Sequence, residues 1–281
     1  MKRLFYSILT LSTLLWGNAY AQQWEVGVHG GATGFMGDVN PDNPFYLKNA
    51  GGGFFVKRNL NSTWGVQLGY SYLRLHANDK DDSDPYRNAR GHFFYNNVHE
   101  LAARADFNFF RFIPGQSINR YTPYLFAGLA VIKHNPYVNF KDAKKINLDD
   151  LQLQVDDAGD PIKTKKIAIA LPIGAGFKYN ISGPWSVGVE IGYRTAFNNN
   201  IDNISGNYPL SAEVPKGLPA DFYPSTERPV NQLWQNIAFP NGDFDTYKGK
   251  AKGHGRKRDG YMTAGFTLTY TFIDKRCYWW K

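Results

Sequence analysis

Four groups of residues have the types and spacing to do chemistry. Asp79, Asp81, Asp82 and Asp84 crowd carboxylates together as a calcium loop would. Such a loop also needs a glycine at its sixth position and a glutamate at its twelfth. Asp84 and Arg90 stand there instead, so a solvated loop is the plainer reading. His29 with Glu25 or Glu100 would set an imidazole beside carboxylates, the raw material of general acid–base catalysis. No serine–histidine pair is singled out, so no catalytic residue, metal or cofactor is expected. Lys248, Lys250, Lys252, Arg256, Lys257 and Arg258 form a glycine-spaced basic run suited to phosphates. In an exported chain that favours lipopolysaccharide over nucleic acid, and a merely solvated loop fits equally well. Cys277 is the single cysteine, followed by Tyr278, Trp279 and Trp280. An odd thiol in an oxidising compartment invites an intermolecular disulfide to a periplasmic partner.

The compartment follows from the first residues. Lys2 and Arg3 precede an apolar stretch over residues 4–16, and Ala19-Tyr20-Ala21 follows. This is the pattern of a secretory signal peptide over 1–21. The 281 residues are 43% apolar and 16% aromatic, which excludes a disordered chain, and one cysteine excludes a disulfide scaffold. A net charge of +8 favours anionic surfaces without naming one. No later stretch is long and apolar enough for a membrane helix, so entry into a bilayer requires strands.

Period-two alternation dominates the rest. Over residues 261–272, Met262, Ala264, Phe266, Leu268, Tyr270 and Phe272 oppose Tyr261, Thr263, Gly265, Thr267, Thr269 and Thr271. Residues 185–194, 167–179, 64–72 and 100–109 repeat the design, and 24–29, 52–58 and 124–133 are weaker strands. The facing of the last two cannot be assigned, because both of their faces are apolar or small. Long links (34–50, 74–96, 134–166, 195–259) alternate strictly with short turns near Asn59, Pro114 and Ser182.

The expectation is an all-β, eight-stranded antiparallel up-and-down transmembrane barrel over 22–273. It has long structureless outer loops, short periplasmic turns, and both termini in the periplasm, with 274–281 as a tail. A soluble sandwich would turn its polar faces to water. Here those faces are small and carry sparse charges of both signs, as a narrow lumen requires. Glu25, His29, Glu100, Arg104, Asp106, Lys178, Glu190 and Arg194 are the expected lumen charges. Trp64, Tyr72, Tyr179, Trp185, Tyr193, Tyr270 and Phe272 are the expected interfacial aromatics.

Several strings in order along the chain carry a resemblance: Gly37-Asp38-Val39-Asn40, Glu100-Leu101, Phe107-Asn108-Phe109-Phe110, and Thr122-Pro123-Tyr124-Leu125-Phe126-Ala127-Gly128. Further on stand residues 171–179, 185–197 and Ile201-Asp202-Asn203-Ile204-Ser205. In these the chain resembles the PorG-like outer-membrane barrels of the Bacteroidetes type IX secretion system. The resemblance implies a non-enzymatic component of protein secretion that holds the periplasmic ring of the PorK lipoprotein and PorN to the outer membrane. The expected contact surface is then the short turns plus Cys277, Tyr278, Trp279 and Trp280. A surface barrel of adhesin or small-ligand type, and a lipid-modifying enzyme, are the competing classes.

Overall fold

The computed structural model describes residues 23–40, 43, 45–115, 119–139, 145–156, 158, 160–162, 164–211, 230–241, 244–253 and 257–273. The expected signal peptide and the tail 274–281, with Cys277, Tyr278, Trp279 and Trp280, lie outside them, as does Arg256. Eight long strands run β1 (Gln23–Met36), β2 (Asn49–Asn59), β3 (Trp64–Asn78), β4 (Phe93–Asn108), β5 (Tyr121–Lys133), β8 (Ile167–Ser182), β9 (Trp185–Ala196) and β10 (Gly260–Thr271). Each pairs antiparallel with its neighbour. β1 meets β10, and β3 meets β4, so the sheet closes on itself. Two short strands, β6 (Pro136–Val138) and β7 (Ile146–Asn147), continue the β4 side beyond the end of β5. No described helix is long and apolar enough to cross a membrane.

Alternation sets the facing. Val28, Phe54, Leu68, Leu101, Leu129, Ile169, Val189 and Phe266 are exposed around the outside, while Glu25, Lys57, Gln67, Arg104, Asp106 and Lys178 are buried inside. An uninterrupted apolar belt around a closed barrel is the surface a bilayer covers. At the end with the short turns, aromatic rings meet edge to face or stacked: Trp64 with Phe107, Phe107 with Phe109, Tyr121 with Phe177, Trp185 with Tyr270. The two unassigned strands now have a phase. β2 turns Phe54 and Val56 outward and Phe55 and Lys57 inward, and β5 turns Tyr124, Phe126 and Ile132 inward.

The polarity of the two faces reverses partway along the strands. On β3, Val66, Leu68 and Tyr70 face out while Gln67 and Ser71 face in. Beyond them Arg74 and His76 face out while Leu73, Leu75 and Ala77 are buried inside. β4 does the same, from outward Leu101 and inward Glu100 to outward His99 and Tyr95 and inward Val98 and Phe94. Apolar inside and polar outside is the pattern of a wall in water, so these strands project beyond the belt.

The long links do not remain structureless. Contrary to the sequence expectation, their described residues fold together over the projecting strands into a cap with its own apolar core. Val39 comes from the first link, Leu148, Leu151 and Leu153 from the third, and Ile201, Tyr208, Trp234 and Phe239 from the fourth. These pack on Phe35, Leu75, Phe94 and Ile132 of the barrel mouth. Trp234 Nε1 donates to the Leu151 carbonyl at 3.1 Å, and the Tyr208 and Phe239 rings stack. In the second link, α1 (Pro85–Arg90) starts at Asp84, whose side chain accepts the Tyr86 and Arg87 amides, and stops at Gly91 with φ 71°.

Candidate functional site

The most organised chemistry lies in the lumen. Lys57 Nζ meets Asp106 Oδ2 at 2.7 Å, and Arg104 Nε lies 3.2 Å from Asp106 Oδ1. The same guanidinium grips Glu190 with both terminal nitrogens, at 2.7 and 2.8 Å, and reaches Gln67 Oε1 at 3.2 Å. Tyr124 donates its hydroxyl to Glu190 at 2.8 Å. Toward the cap, Arg194 pairs with Glu100 at 3.4 Å, and Tyr261 donates to Glu100 at 2.6 Å. Toward the turns, Asn59 donates to Glu25 at 2.6 Å, and the Lys178 ammonium lies over the Phe112 and Tyr124 rings. Register makes this possible: Arg104 stands opposite Gln67 on β3, and Glu25 opposite Lys57 on β2. Two glycines make the room. A Cβ on Gly65 would meet Lys57 Cε at 2.6 Å, and one on Gly176 would meet the Tyr124 ring at 2.4 Å.

All eight residues expected in the lumen do face inward. Lys57, Gln67, Ser71, Tyr124 and Tyr261 join them. Lys57 escaped the sequence because Phe54, Phe55 and Val56 hide the phase of its strand. His29 Nε2 lies 3.1 Å from Ser71 Oγ, a pair that sequence spacing did not single out. The cavities beside it, bordered by Thr33, Gln67, Glu100 and Arg194 among others, hold about 30 Å³ each. That accommodates a water molecule or two, not a substrate.

The cap holds the second polar cluster. Arg90, fully buried, grips Asp79 with Nε and Nη2 at 2.7 Å each and donates to the carbonyls of Asp38 and Lys252. His92 Nε2 lies 2.7 Å from the Tyr208 hydroxyl, and burial holds the imidazole well below its ordinary range. The acidic run thus serves structure: Asp79 binds Arg90, Asp82 binds Arg87, Asp84 caps α1, and Asp81 takes Lys48 at 3.0 Å. Asp38, Asp202 and Asp259 are buried together, one carboxylate oxygen from each lying within 4.8 Å of the others. Asp202 accepts the Asp38 and Ile204 amides, and Asp259 accepts the Ile201 amide. Burial, reinforced by Asp38, pushes the Asp202 carboxyl up to about 7.

The basic run does not act as one surface. Lys252 is buried, with Nζ donating to the Leu153 carbonyl at 3.3 Å, which removes it from any contact with lipopolysaccharide. Burial and the nearby Arg90 lower its ammonium to about 7. Lys250, Lys257 and Arg258 remain exposed, and Lys248 pairs with Asp245 at 3.0 Å.

A closed antiparallel barrel of eight strands, with an apolar girdle outside and a packed, charge-paired lumen, defines a membrane-type barrel protein. The chain belongs to the DUF6089 family, a domain of unknown function, whose model matches residues 2–214. No curated protein matches it. Among solved structures it is similar to the N-terminal β-barrel domain of Pseudomonas aeruginosa OprF, at 12% identity over 90% of this chain and 100% of that one, TM-score 0.38. It is also similar to Neisserial surface protein A, at 9% identity over 89% and 97% of the chains, TM-score 0.41. A third is Ail of Yersinia pestis, in complex with the heparin analogue sucrose octasulfate, at 10% identity over 90% and 100%, TM-score 0.38.

Proposed function

We propose that this protein is an outer-membrane barrel that works as a fixed, non-enzymatic anchor within the type IX protein secretion machinery. On this reading its short turns and tail hold the periplasmic ring of PorK and PorN. The observation that carries the anchoring role is the double seal: the lumen is filled by the chain from Lys57 to Glu190, and the mouth above it by the apolar core of the cap. A barrel closed in both places conducts no protein, so its use lies in what it positions. The likeness of its strand strings to PorG-like barrels supports the choice of partner. The outward direction of the long links and the periplasmic placement of both termini follow from the usual build of such barrels, with short periplasmic turns.

The test uses Cys277. Oxidative or thiol-specific crosslinking in intact membranes is expected to capture PorK or PorN with the wild type and neither with Cys277→Ser. Removal of residues 274–281 is expected to release the ring while the barrel stays in the membrane. A ring that still co-purifies with the shortened chain, together with no crosslinked partner, overturns the reading.

A second reading is favoured by the folded cap. A compact, cored outer surface is what an adhesin or ligand-binding barrel presents. If the ring is indifferent to the tail, a loss of surface binding after deletion of residues 197–259 selects this alternative.

A further inference from the structure

The reversal of polarity along β3, β4 and β5 fixes where the membrane must stop, and what stands at that line is not neutral. Rows of register give the sequence of side chains on the outer wall. Leu68, Ala103 and Leu129 form one apolar row, and Tyr70, Leu101, Val131 and Ile169 form the next. The row above reads Tyr72, His99, Lys133 and the exposed Ile167 of β8, so the polar groups stand on β3, β4 and β5; Arg74 and His76 follow on β3, each two residues further up and on the same face. Arg74 and Lys133 are exposed. The Tyr70 hydroxyl bonds His99 Nδ1 at 2.7 Å, the Tyr72 and His99 rings lie 5.2 Å apart, and the Arg74 guanidinium sits 6.0 Å over the Tyr72 ring. His76 stacks on Tyr95, and Tyr95 on Tyr137, with Lys145 over the last ring.

Among the described residues, no carboxylate pairs with Arg74 or Lys133 on the wall. Every Asp and Glu of the eight barrel strands (Glu25, Glu100, Asp106, Glu190) points into the lumen. Among the described residues, neither Arg74 nor Lys133 makes an ion pair. The strands thus place two cations without an ion pair and two imidazoles on an aromatic platform, where the apolar belt ends on β3, β4 and β5.

We propose that Arg74, Lys133 and His99, on the platform of Tyr70 and Tyr72, bind the phosphorylated headgroup of a glycolipid of the outer leaflet. Its acyl chains lie down the belt over Leu68, Leu101, Leu129 and Val131. Phosphate is the group that complements this set. Two point charges and ring donors on a rigid wall suit a multivalent anion, and the adjoining apolar rows suit the chains that the anion carries. A free phosphate would use the charges and leave those rows idle, whereas a headgroup uses both. The site lies on β3, β4 and β5 and uses no residue of the basic run near residue 250. It rests on the membrane placement argued above, with the cap side outward.

The experiment compares the wild type with the double variant Arg74→Gln/Lys133→Gln and with Arg111→Gln/Arg120→Gln, two exposed cations at the short-turn end. Each is reconstituted in nanodiscs of neutral phospholipid doped with lipid A or with enzymatically dephosphorylated lipid A. Retained glycolipid is read by native mass spectrometry, and folding by the gel shift on boiling. Wild type and the Arg111/Arg120 variant are expected to retain lipid A. The Arg74/Lys133 variant, still folded, is expected to bind roughly tenfold more weakly, and the dephosphorylated lipid is expected to bind wild type as weakly. Equal retention by wild type and the Arg74/Lys133 variant, or indifference to the phosphate, overturns the headgroup site while leaving the barrel in its membrane. Failure of the wild type to enter the discs at all overturns the membrane reading, and the site with it.

Discussion

Arg104 donates to Gln67 on β3 and Glu190 on β9 and forms an ion pair with Asp106 on its own strand. A guanidinium is suited to this because it stays charged and presents its donors in a rigid fork. Such a buried pair contributes little net stability over an apolar filling, but losing one partner strands the other, at a cost of about 3–5 kcal/mol. Asp202 in the cap works differently. Its carboxyl is raised to about 7 by burial and by Asp38, and Arg90 only partly offsets this. The folded cap therefore binds a proton that the unfolded chain releases near 4. The stability contributed by protonated Asp202 is present below that pH and is lost as pH rises toward 7. Hydrogen exchange, corrected for intrinsic rates, is expected to show protection of the Asp38 and Ile204 amides falling between about pH 4 and 7. In Asp202→Asn the fall should be absent; an unchanged profile would refute the assignment.

At the scale of elements, the strands and most of their facing were legible because a period of two is written directly into residues such as Trp185, Val187, Val189 and Ile191. Two things were not. Where both faces are apolar, as at Phe54-Phe55-Val56, periodicity carries no phase, and Lys57 was hidden with it. The reversal beyond Tyr72 was also missed, since alternation continues there and only its meaning changes. The closing seam adds a constraint that alternation cannot express. Gly31 on β1 faces Gly265 on β10, and a Cβ on Gly31 would lie 2.2 Å from the Ala264 carbonyl oxygen and 2.4 Å from Gly265 Cα. Its neighbour Gly30 has room for a methyl group, whose nearest atom, the Gly51 carbonyl oxygen, would lie at an ordinary contact distance of 3.8 Å. Gly31→Val is expected to abolish the heat-modifiable folded band on gels, and Gly30→Ala to keep it. Equal folding of both variants would show that the seam tolerates a side chain.

Over the whole molecule, two independent seals stand in series. The lower is a set of ion pairs, and the upper is the packing of Phe35, Leu75, Phe94 and Ile132 under the cap. Wild-type protein in planar bilayers is expected to give no discrete conductance steps, and Arg104→Ala/Glu190→Ala is expected to stay silent because the upper seal survives. Steps in the wild type would contradict the sealed anchor. The cap itself was illegible in the sequence. Its core residues come from separate links without periodic spacing, so Trp234 and Leu151 become partners only once the strands have brought their loops together.

That cap joins the segment that follows β1 to the segment that precedes β10, since Asp38 and Asp259 lie in one buried carboxylate cluster with Asp202. A conformational antibody raised against it would recognise only chains exported through to their last strand. On the proposed placement, with the cap outward, such a reagent would count completed assembly on living cells without a tag.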